Sequence, residues 1–599
     1  MSAETPLGQN GQTARKPWEF RRVRLEGARK QALETGRNRV LVTGAVFAFA
    51  FLAIAGRLVD LTAIDQPGEP KVAQIESERS GTMDRAEVLD RNGLILATSL
   101  PTASLYADAT EVLDPAEATE RLLTVLPELD GADLLAKLSN RSRFVWIHRN
   151  LTPSQKFGVN RLGIPGLQFH QGERRVYPHG PLVAHVLGLT DIDSRGIAGV
   201  EKLFDERLRV DDEPLKLSID LRVQAIVHEE LSAAVAEYKA LGGTAIVLDV
   251  ATGETLAMVS LPDFDPNQPA TLQGEAGFNR ATKGVYEMGS TFKLFTAAMA
   301  LDSGTVTLQS GYDASKPIRV ARFTISDYHG ENRWLSVPEI LIHSSNIGAA
   351  KMALDVGTKG QRDYLGRLGL LTAPAVELPE VGKPLVPAQW REINTMTIAF
   401  GHGLAVSPLQ MVAATATLVN GGIRYTPTIL RHEGAAPLIG ERVLSPETST
   451  KIRHLMELVV EEGSGKQAKI EGYRIGGKTG TAEKEVNGRY RRDARISSFV
   501  GAFPIERPRY VVLALLDEPH GNKKTFNFAT GGWVAAPAVG KMVKRIAPLM
   551  GISPSMPGDD AAPGIAPKGA PKVVPVNRDL VVAVRAALDD VREARRAAR

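Results

Sequence analysis

The segment Glu287-Met288-Gly289-Ser290-Thr291-Phe292-Lys293 runs straight into Leu294-Phe295-Thr296-Ala297-Ala298-Met299, an apolar stretch of helical character. If the helix begins at Ser290, Lys293 falls one turn later on the same face, close enough for its amine to bond the hydroxyl. A serine hydroxyl attacks poorly until a neighbouring base takes its proton, and a desolvated lysine is neutral enough to serve as that base. The helix N-terminus adds partial positive charge where an oxyanion would form. Alone, Ser-x-x-Lys is an ordinary helix start. Its meaning depends on what else the chain supplies.

Two further polar clusters lie downstream. Ser344-Ser345-Asn346 sits between apolar Leu341-Ile342 and Ile347-Gly348. There a hydroxyl can relay a proton, and an amide can hold a substrate carbonyl or the lysine amine. Lys478-Thr479-Gly480-Thr481-Ala482 follows Tyr473-Arg474-Ile475-Gly476-Gly477 on a predicted strand. Gly480 would let a substrate backbone lie against that strand, Lys478 and Thr479 can bind a carboxylate, and the Thr481 amide can help form an oxyanion hole. Gly472 with Gly477-Lys478-Thr479 also matches a phosphate-binding loop letter for letter. That loop needs a buried strand before it and a helix after it. Residues 466–471 are mostly polar and the turn pair Asn487-Gly488 soon follows, so context speaks against it.

Around these clusters the pattern is that of one domain. Asp220 to Tyr238 has helical periodicity with Asp220 as N-cap, and Thr244–Asp249 with Thr255–Ser260 reads as a hairpin about the turn Ala251-Thr252-Gly253-Glu254. Helical patterns then dominate to about residue 420. Strands return at Tyr473–Glu483, Ser497–Phe503 and Tyr510–Asp517, the last two after Asn487-Gly488. Strands at both ends with helices between them imply a single antiparallel sheet whose halves are far apart in sequence, with a final helix near Val534–Met550 packed on it. Residues 62–216 read as an irregular α+β region with a helix near Glu111–Leu138. Its Asp90-Arg91-Asn92-Gly93 and Arg175-Val176-Tyr177-Pro178-His179-Gly180 read as turns and surface loops. Residues 551–577, rich in Pro, Gly and Ala, form a linker, and 578–599 a short basic tail helix.

The chain has 599 residues, enough for several folded units. With no cysteine at all, disulfides, thiolate-bound zinc and a cysteine nucleophile are excluded, so covalent chemistry falls to Ser, Thr, Lys or a carboxylate. The net charge is only +4 and the basic residues gather at the two ends, which speaks against nucleic-acid binding. From Val40 the chain reads VLVTGAVFAFAFLAIAG, then Arg57-Leu58-Val59, close to the ~20 apolar residues that span a bilayer. Nine basic residues between Arg15 and Arg39 precede it and should remain in the cytoplasm. Ala53-Ile54-Ala55 has the form of a signal-peptidase site, but the leading region is long and the apolar run continues beyond it, which argues for an uncleaved anchor over 39–61 behind a cytoplasmic tail, 1–38.

Ser-x-x-Lys, Ser-x-Asn and Lys-Thr-Gly in this order resemble the signature of penicillin-binding proteins and serine β-lactamases. The flanks Leu217-Ser218-Ile219-Asp220, Phe400-Gly401-His402-Gly403 with Pro408 and Gln410, and Ser498-Phe499-Val500-Gly501 resemble the transpeptidase domain of class B penicillin-binding proteins. Arg85, Asp90-Arg91-Asn92-Gly93, Arg175-x-Tyr177-Pro178-x-Gly180 and Gly199-Val200-Glu201 are similar to that class's non-catalytic pedestal. Met288 and Ala86 depart from residues common in the family, Pro and Gly, without touching a reacting group.

The resemblance implies an α+β architecture: a single N-terminal transmembrane helix, an irregular pedestal over 62–216, and a catalytic domain over 217–550 with a central antiparallel sheet flanked by helices. It implies a D,D-transpeptidase of the bacterial inner membrane with a periplasmic catalytic domain. Ser290 is the implied nucleophile and Lys293 its base, with Ser344 and Lys478 moving protons and Asn346, Thr479, Gly480 and Thr481 binding substrate. The implied ligands are D-Ala-D-Ala stem peptides and β-lactams, with no metal and no cofactor. The glycosyltransferase signature of class A relatives is not recognisable, so a membrane glycan polymerase and other division proteins are the implied partners. Asn346 and Asp517-Glu518-Pro519 resemble the division type. An elongation enzyme, a D,D-carboxypeptidase and a β-lactam sensor remain the alternatives.

Overall fold

The computed structural model of the protein describes residues 41, 44–45, 47–53, 85–320, 323–432, 434, 438–486 and 489–554. Most of the expected anchor, the first residues of the expected pedestal, the linker beyond 554 and the tail helix therefore lie outside the described residues. The chain divides into two units, Met1–Thr82 and Met83–Arg599. In the first, residues 41, 44–45 and 47–53 are helical and exposed. No helix among the described residues is long and apolar enough to cross a membrane.

The second unit opens with a mixed sheet. Strand β2 (Ile95–Ala107) pairs antiparallel with β1 (Val88–Leu89), β3 (Val145–Leu151) and β4 (Leu167–Val176), and β1 pairs in parallel with β5 (Leu215–Lys216). The helix expected over Glu111–Leu138 is two helices, Pro115–Val125 and Gly131–Ser139. Asp114 and Asp130 each cap one of them through their carboxylates, which is why the chain restarts there. Leu122, Leu126, Leu134 and Leu138 bury against Leu105, Ile147 and Leu151 of the sheet.

The stretches at 90–93 and 175–180 do turn, with Asn92, Gly93 and Pro178 exposed, but Asp90, Arg175 and Tyr177 within them are buried. The Arg85 Nε lies 2.6 Å from Glu201, whose other oxygen takes the Arg175 Nε at 2.7 Å, and neither Arg85 nor Glu201 exposes any side chain. The Arg85 Nη1 also pairs with Asp205 at 2.7 Å. Asp90 is 0 % exposed: it accepts the N–H groups of Asn92 and Leu94 and, at 3.2 Å, that of Leu221, the first residue of the helix that opens the catalytic half. Local turn grammar could not reveal this, because the charges at 85, 175 and 201 meet only through tertiary packing.

Asp220 caps α1 (Leu221–Glu237) as expected. The hairpin of β6 (Gly242–Asp249) and β7 (Thr255–Leu261) forms one side of a five-stranded antiparallel sheet in the order β8-β9-β10-β6-β7, where β8 is Gly476–Val486, β9 Arg489–Phe503 and β10 Tyr510–Asp517. The two distant halves join through β10 and β6, with Ala514 opposite Ala245. Strand β8 starts three residues later than expected and extends to Val486, which pairs with Arg489 across the Asn487-Gly488 pair, itself outside the described residues.

Alternate residues feed two cores. Ala245, Val247, Val512 and Ala514 pack under α1 and the long helix Gly531–Leu549, while Ile246, Leu248, Leu513 and Leu515 face the helices that carry the catalytic motifs. Burial on both faces explains why β10 reads as a continuous apolar run.

Glu201→Ala should leave two buried guanidinium groups without their shared carboxylate and destabilise the protein by about 3–5 kcal/mol. Urea or thermal denaturation checks this; a loss within the scatter of a surface substitution would show that the cluster is not structural.

Candidate active site

Ser290 lies in the 3-10 turn Gly289–Phe292, which leads into α2 (Lys293–Asp302). The expected helix start is thus a tighter turn, but it delivers the expected geometry. Phe292 and Phe295 are each 1 % exposed and meet edge to face at 5.4 Å, anchoring the turn to the core beneath the sheet. The turn is squeezed between two backbones. Gly289 has φ +55 and a Cβ there would stand 2.6 Å from the Thr481 carbonyl, while a Cβ on Gly401, φ +84, would stand 2.1 Å from the Gly289 carbonyl. A Cβ on Gly480 would stand 2.4 Å from the Met288 carbonyl and 2.5 Å from the Ser498 hydroxyl, a second demand for glycine there beside the expected room for substrate. Gly480 lets the nucleophile turn pack on β8.

The three clusters meet. The Lys293 Nζ lies 3.0 Å from the Ser290 Oγ, 3.1 Å from the Ser344 Oγ, 2.8 Å from the Asn346 Oδ1 and 2.5 Å from the Ser344 carbonyl. Ser344 and Ser345 join α3 (Val337–Ile342) to α4 (Asn346–Arg367), and Ser344 adopts φ +57. The Lys478 Nζ approaches the same Ser344 Oγ at 3.0 Å, with Ser464 Oγ at 3.4 Å and Thr479 Oγ1 at 3.4 Å. Thr479 in turn shares a 2.7 Å hydrogen bond with Ser464. The Thr481 hydroxyl accepts the Gly531 N–H at 3.0 Å. Contacts thus link Ser290, Lys293, Ser344, Asn346, Lys478 and Thr479 in one cluster. The Asn346 amide is engaged at both ends, since its Nδ2 donates to the Ser326 carbonyl at 2.9 Å.

Burial sets the electrostatics. Lys293 is 1 % exposed and Lys478 0 %. Desolvation, together with the Lys478 charge, pushes Lys293 well below the usual lysine range against the opposing pull of Asp327, and desolvation alone brings Lys478 down to about 7. A neutral Lys293 amine has two N–H groups and one lone pair. The Ser344 carbonyl and Asn346 Oδ1 can only accept, so they take both N–H groups and leave the lone pair for a hydroxyl. Ser290 O–H is then the donor to Lys293, and the Ser344 hydroxyl oxygen accepts from Lys478.

Asp327 and Ser464 escaped the sequence reading because no spacing ties them to a motif. Asp327 precedes Asn346 by 19 residues in a segment without periodicity, and Ser464 is one of many Gly-flanked serines. His402 donates its backbone N–H to the Thr397 carbonyl at 3.0 Å, and its imidazole is pushed below the usual range chiefly by burial and further by the Lys293 charge. Lys484 bridges Asp517 and Glu518 at 2.8 Å each, tying the end of β8 to β10.

Residues 243–543 match the family model described as penicillin binding protein transpeptidase domain, and residues 82–226 the one described as penicillin-binding protein dimerisation domain. The chain belongs to the penicillin-binding protein transpeptidase family. It is 41 % identical over 481 residues to the probable peptidoglycan D,D-transpeptidase FtsI of Caulobacter vibrioides, covering 78 % of this chain and 82 % of that protein. It is 33 % identical to the peptidoglycan D,D-transpeptidase FtsI of Escherichia coli K12, covering 85 % of this chain and 91 % of that one. Among solved structures, the apo transpeptidase domain of Burkholderia pseudomallei penicillin-binding protein 3 superposes with a TM-score of 0.52 at 34 % identity, covering 57 % of this chain and 98 % of that one. A peptidoglycan synthetase from Bifidobacterium adolescentis shares the fold, with a TM-score of 0.63 at 23 % identity over 80 % of this chain and 97 % of that one.

Gly401→Ala should push the Ser290 turn off its seat by about an ångström and lower covalent labelling by a fluorescent penicillin about a hundredfold. Labelling at the unmodified rate would show that the close approach of Gly401 to Gly289 does not position the nucleophile.

Proposed function

We propose that this chain is a peptidoglycan D,D-transpeptidase that crosslinks stem peptides through an acyl-enzyme at Ser290. The observation that carries the reading is the Lys293 amine 3.0 Å from the Ser290 hydroxyl in a site that excludes water from both lysines. Ser290 Oγ attacks the carbonyl of the penultimate D-Ala while Lys293 takes its proton. The oxyanion is held by the Thr481 amide. As the C–N bond breaks, Ser344 and Lys478 return a proton to the leaving amine, and the terminal D-Ala departs. Lys478 and Thr479 hold its carboxylate, Gly480 keeps the strand flush with the nucleophile turn, and Asn346 holds Lys293 and orients the donor peptide. The amine of a neighbouring stem then attacks the ester, forming the crosslink and releasing Ser290 with its proton restored. A β-lactam acylates the same serine.

In this reading residues 39–61 anchor the chain in the inner membrane with 1–38 in the cytoplasm, 62–216 form the pedestal and 217–550 the periplasmic catalytic domain. The apolar run from Val40 and its basic flank support that topology. Identity to the two FtsI proteins, Asn346 and the Asp517-Glu518 segment support septal synthesis during cell division. Glycan polymerisation falls to a membrane partner.

The full chain in detergent should bind fluorescent penicillin covalently, and Ser290→Ala or Lys293→Ala should abolish that labelling with the fold retained. On a stem-bearing glycan substrate the chain should form crosslinked dimer. Hydrolysed monomer alone would make it a carboxypeptidase, and labelling without either product would make it a sensor. Depletion should give filaments; round cells that still divide would assign it to side-wall growth.

A further inference from the structure

Asp327 stands between the strands Phe323–Ile325 and Trp334–Ser336, and nothing in the reading above gives it a role. Both of its carboxylate oxygens are spent on three consecutive residues, Ser345 and Asn346 of the second motif and Ile347 just after it. Its Oδ2 accepts the Ser345 hydroxyl at 2.7 Å, and its Oδ1 accepts the Asn346 N–H at 2.5 Å and the Ile347 N–H at 3.0 Å. Ser345 in turn caps α4 through the Gly348 N–H at 3.0 Å. The neighbouring Ser326 carbonyl fixes the Asn346 amide, so the 326–327 segment determines where Asn346 Oδ1 points.

The consequence falls on Lys293. Ser344, directly before the clamped residues, is a non-glycine residue held in the left-handed region, a conformation that persists only where its surroundings enforce it. That conformation lets Ser344 present both its carbonyl and its hydroxyl to the Lys293 amine. The charged or titratable groups that act on Lys293 are Lys478, Asp327 and His402. Lys478 drives Lys293 toward the neutral amine and Asp327 opposes it, while His402 is kept uncharged chiefly by burial.

We propose that Asp327 is a positioning residue for acyl transfer, whose carboxylate clamps Ser345, Asn346 and Ile347 so that Ser344 and Asn346 meet Lys293, and whose charge counters that of Lys478. The proposal rests on Lys293 being the base for Ser290. Hydrogen bonding and charge can be separated: Asp327→Asn keeps an amide oxygen for the two backbone N–H groups and removes the charge, whereas Asp327→Ala removes both.

The test is the rate at which the full chain in detergent is acylated by fluorescent penicillin, followed toward low pH until each protein loses half its maximal rate. Asp327→Ala should acylate about tenfold more slowly or worse. Asp327→Asn should keep most of its rate, but without the counter-charge Lys293 gives up its proton at lower pH, so its half-rate pH should move down by about half a unit or more. A merely structural clamp would not move that midpoint. A midpoint equal to that of the unmodified protein, or an Asp327→Ala rate equal to it, overturns the proposal. Labelling that survives Ser290→Ala in the Asp327→Asn background would instead overturn the underlying nucleophile reading.

Discussion

Two lysine amines are held out of water within 3.1 Å of a single hydroxyl, that of Ser344. Two ammonium groups cannot both be stable in such a place, because each has lost its hydration and each raises the cost of the other's charge. Burial and the neighbouring Lys478 charge hold Lys293 well below the usual lysine range, and burial brings Lys478 down to about 7. In the proposed mechanism this pair of buried amines is what activates the Ser290 hydroxyl.

The rest of the catalytic half keeps those amines dry and close. The sheet brings Lys478 and Thr479 to the site, and the Gly289–Phe292 turn, α2 and α4 bring Ser290, Lys293 and Asn346. Backbones must approach within distances that exclude any Cβ, hence glycine at 289, 401 and 480. The amino-terminal half buries charge in the same way: Arg85 and Arg175 pair with Glu201, and Asp90 accepts backbone N–H groups, among them that of Leu221 at the start of the helix that covers the sheet.

Much of this was legible in the sequence, and the reason is locality. Lys293 follows Ser290 at helical spacing, β6 and β7 flank a recognisable turn, and β10 is an unbroken apolar run, so each announces itself within a few residues. What failed to announce itself depends on contacts across the fold. Arg85, Arg175 and Glu201 look like surface charges until three segments converge, Asp327 looks like a loop residue until it caps a helix from another segment, and the packing of the Met288 carbonyl on Gly480 appears only in the fold. The family resemblance pointed to side chains that the fold brings close together, but it could not say what holds them in register.

The central claim is that Lys293 rests as a neutral amine against the Ser290 hydroxyl. Its most direct measurement is the carbon chemical shift of the Lys293 side chain, followed against pH in protein grown with labelled lysine and assigned by the signal that disappears in Lys293→Arg. The account predicts the shift of an uncharged amine already at neutral pH, with no further titration above it. A Lys293 signal that stays that of an ammonium until it titrates near the ordinary lysine value of about 10.4 would contradict it.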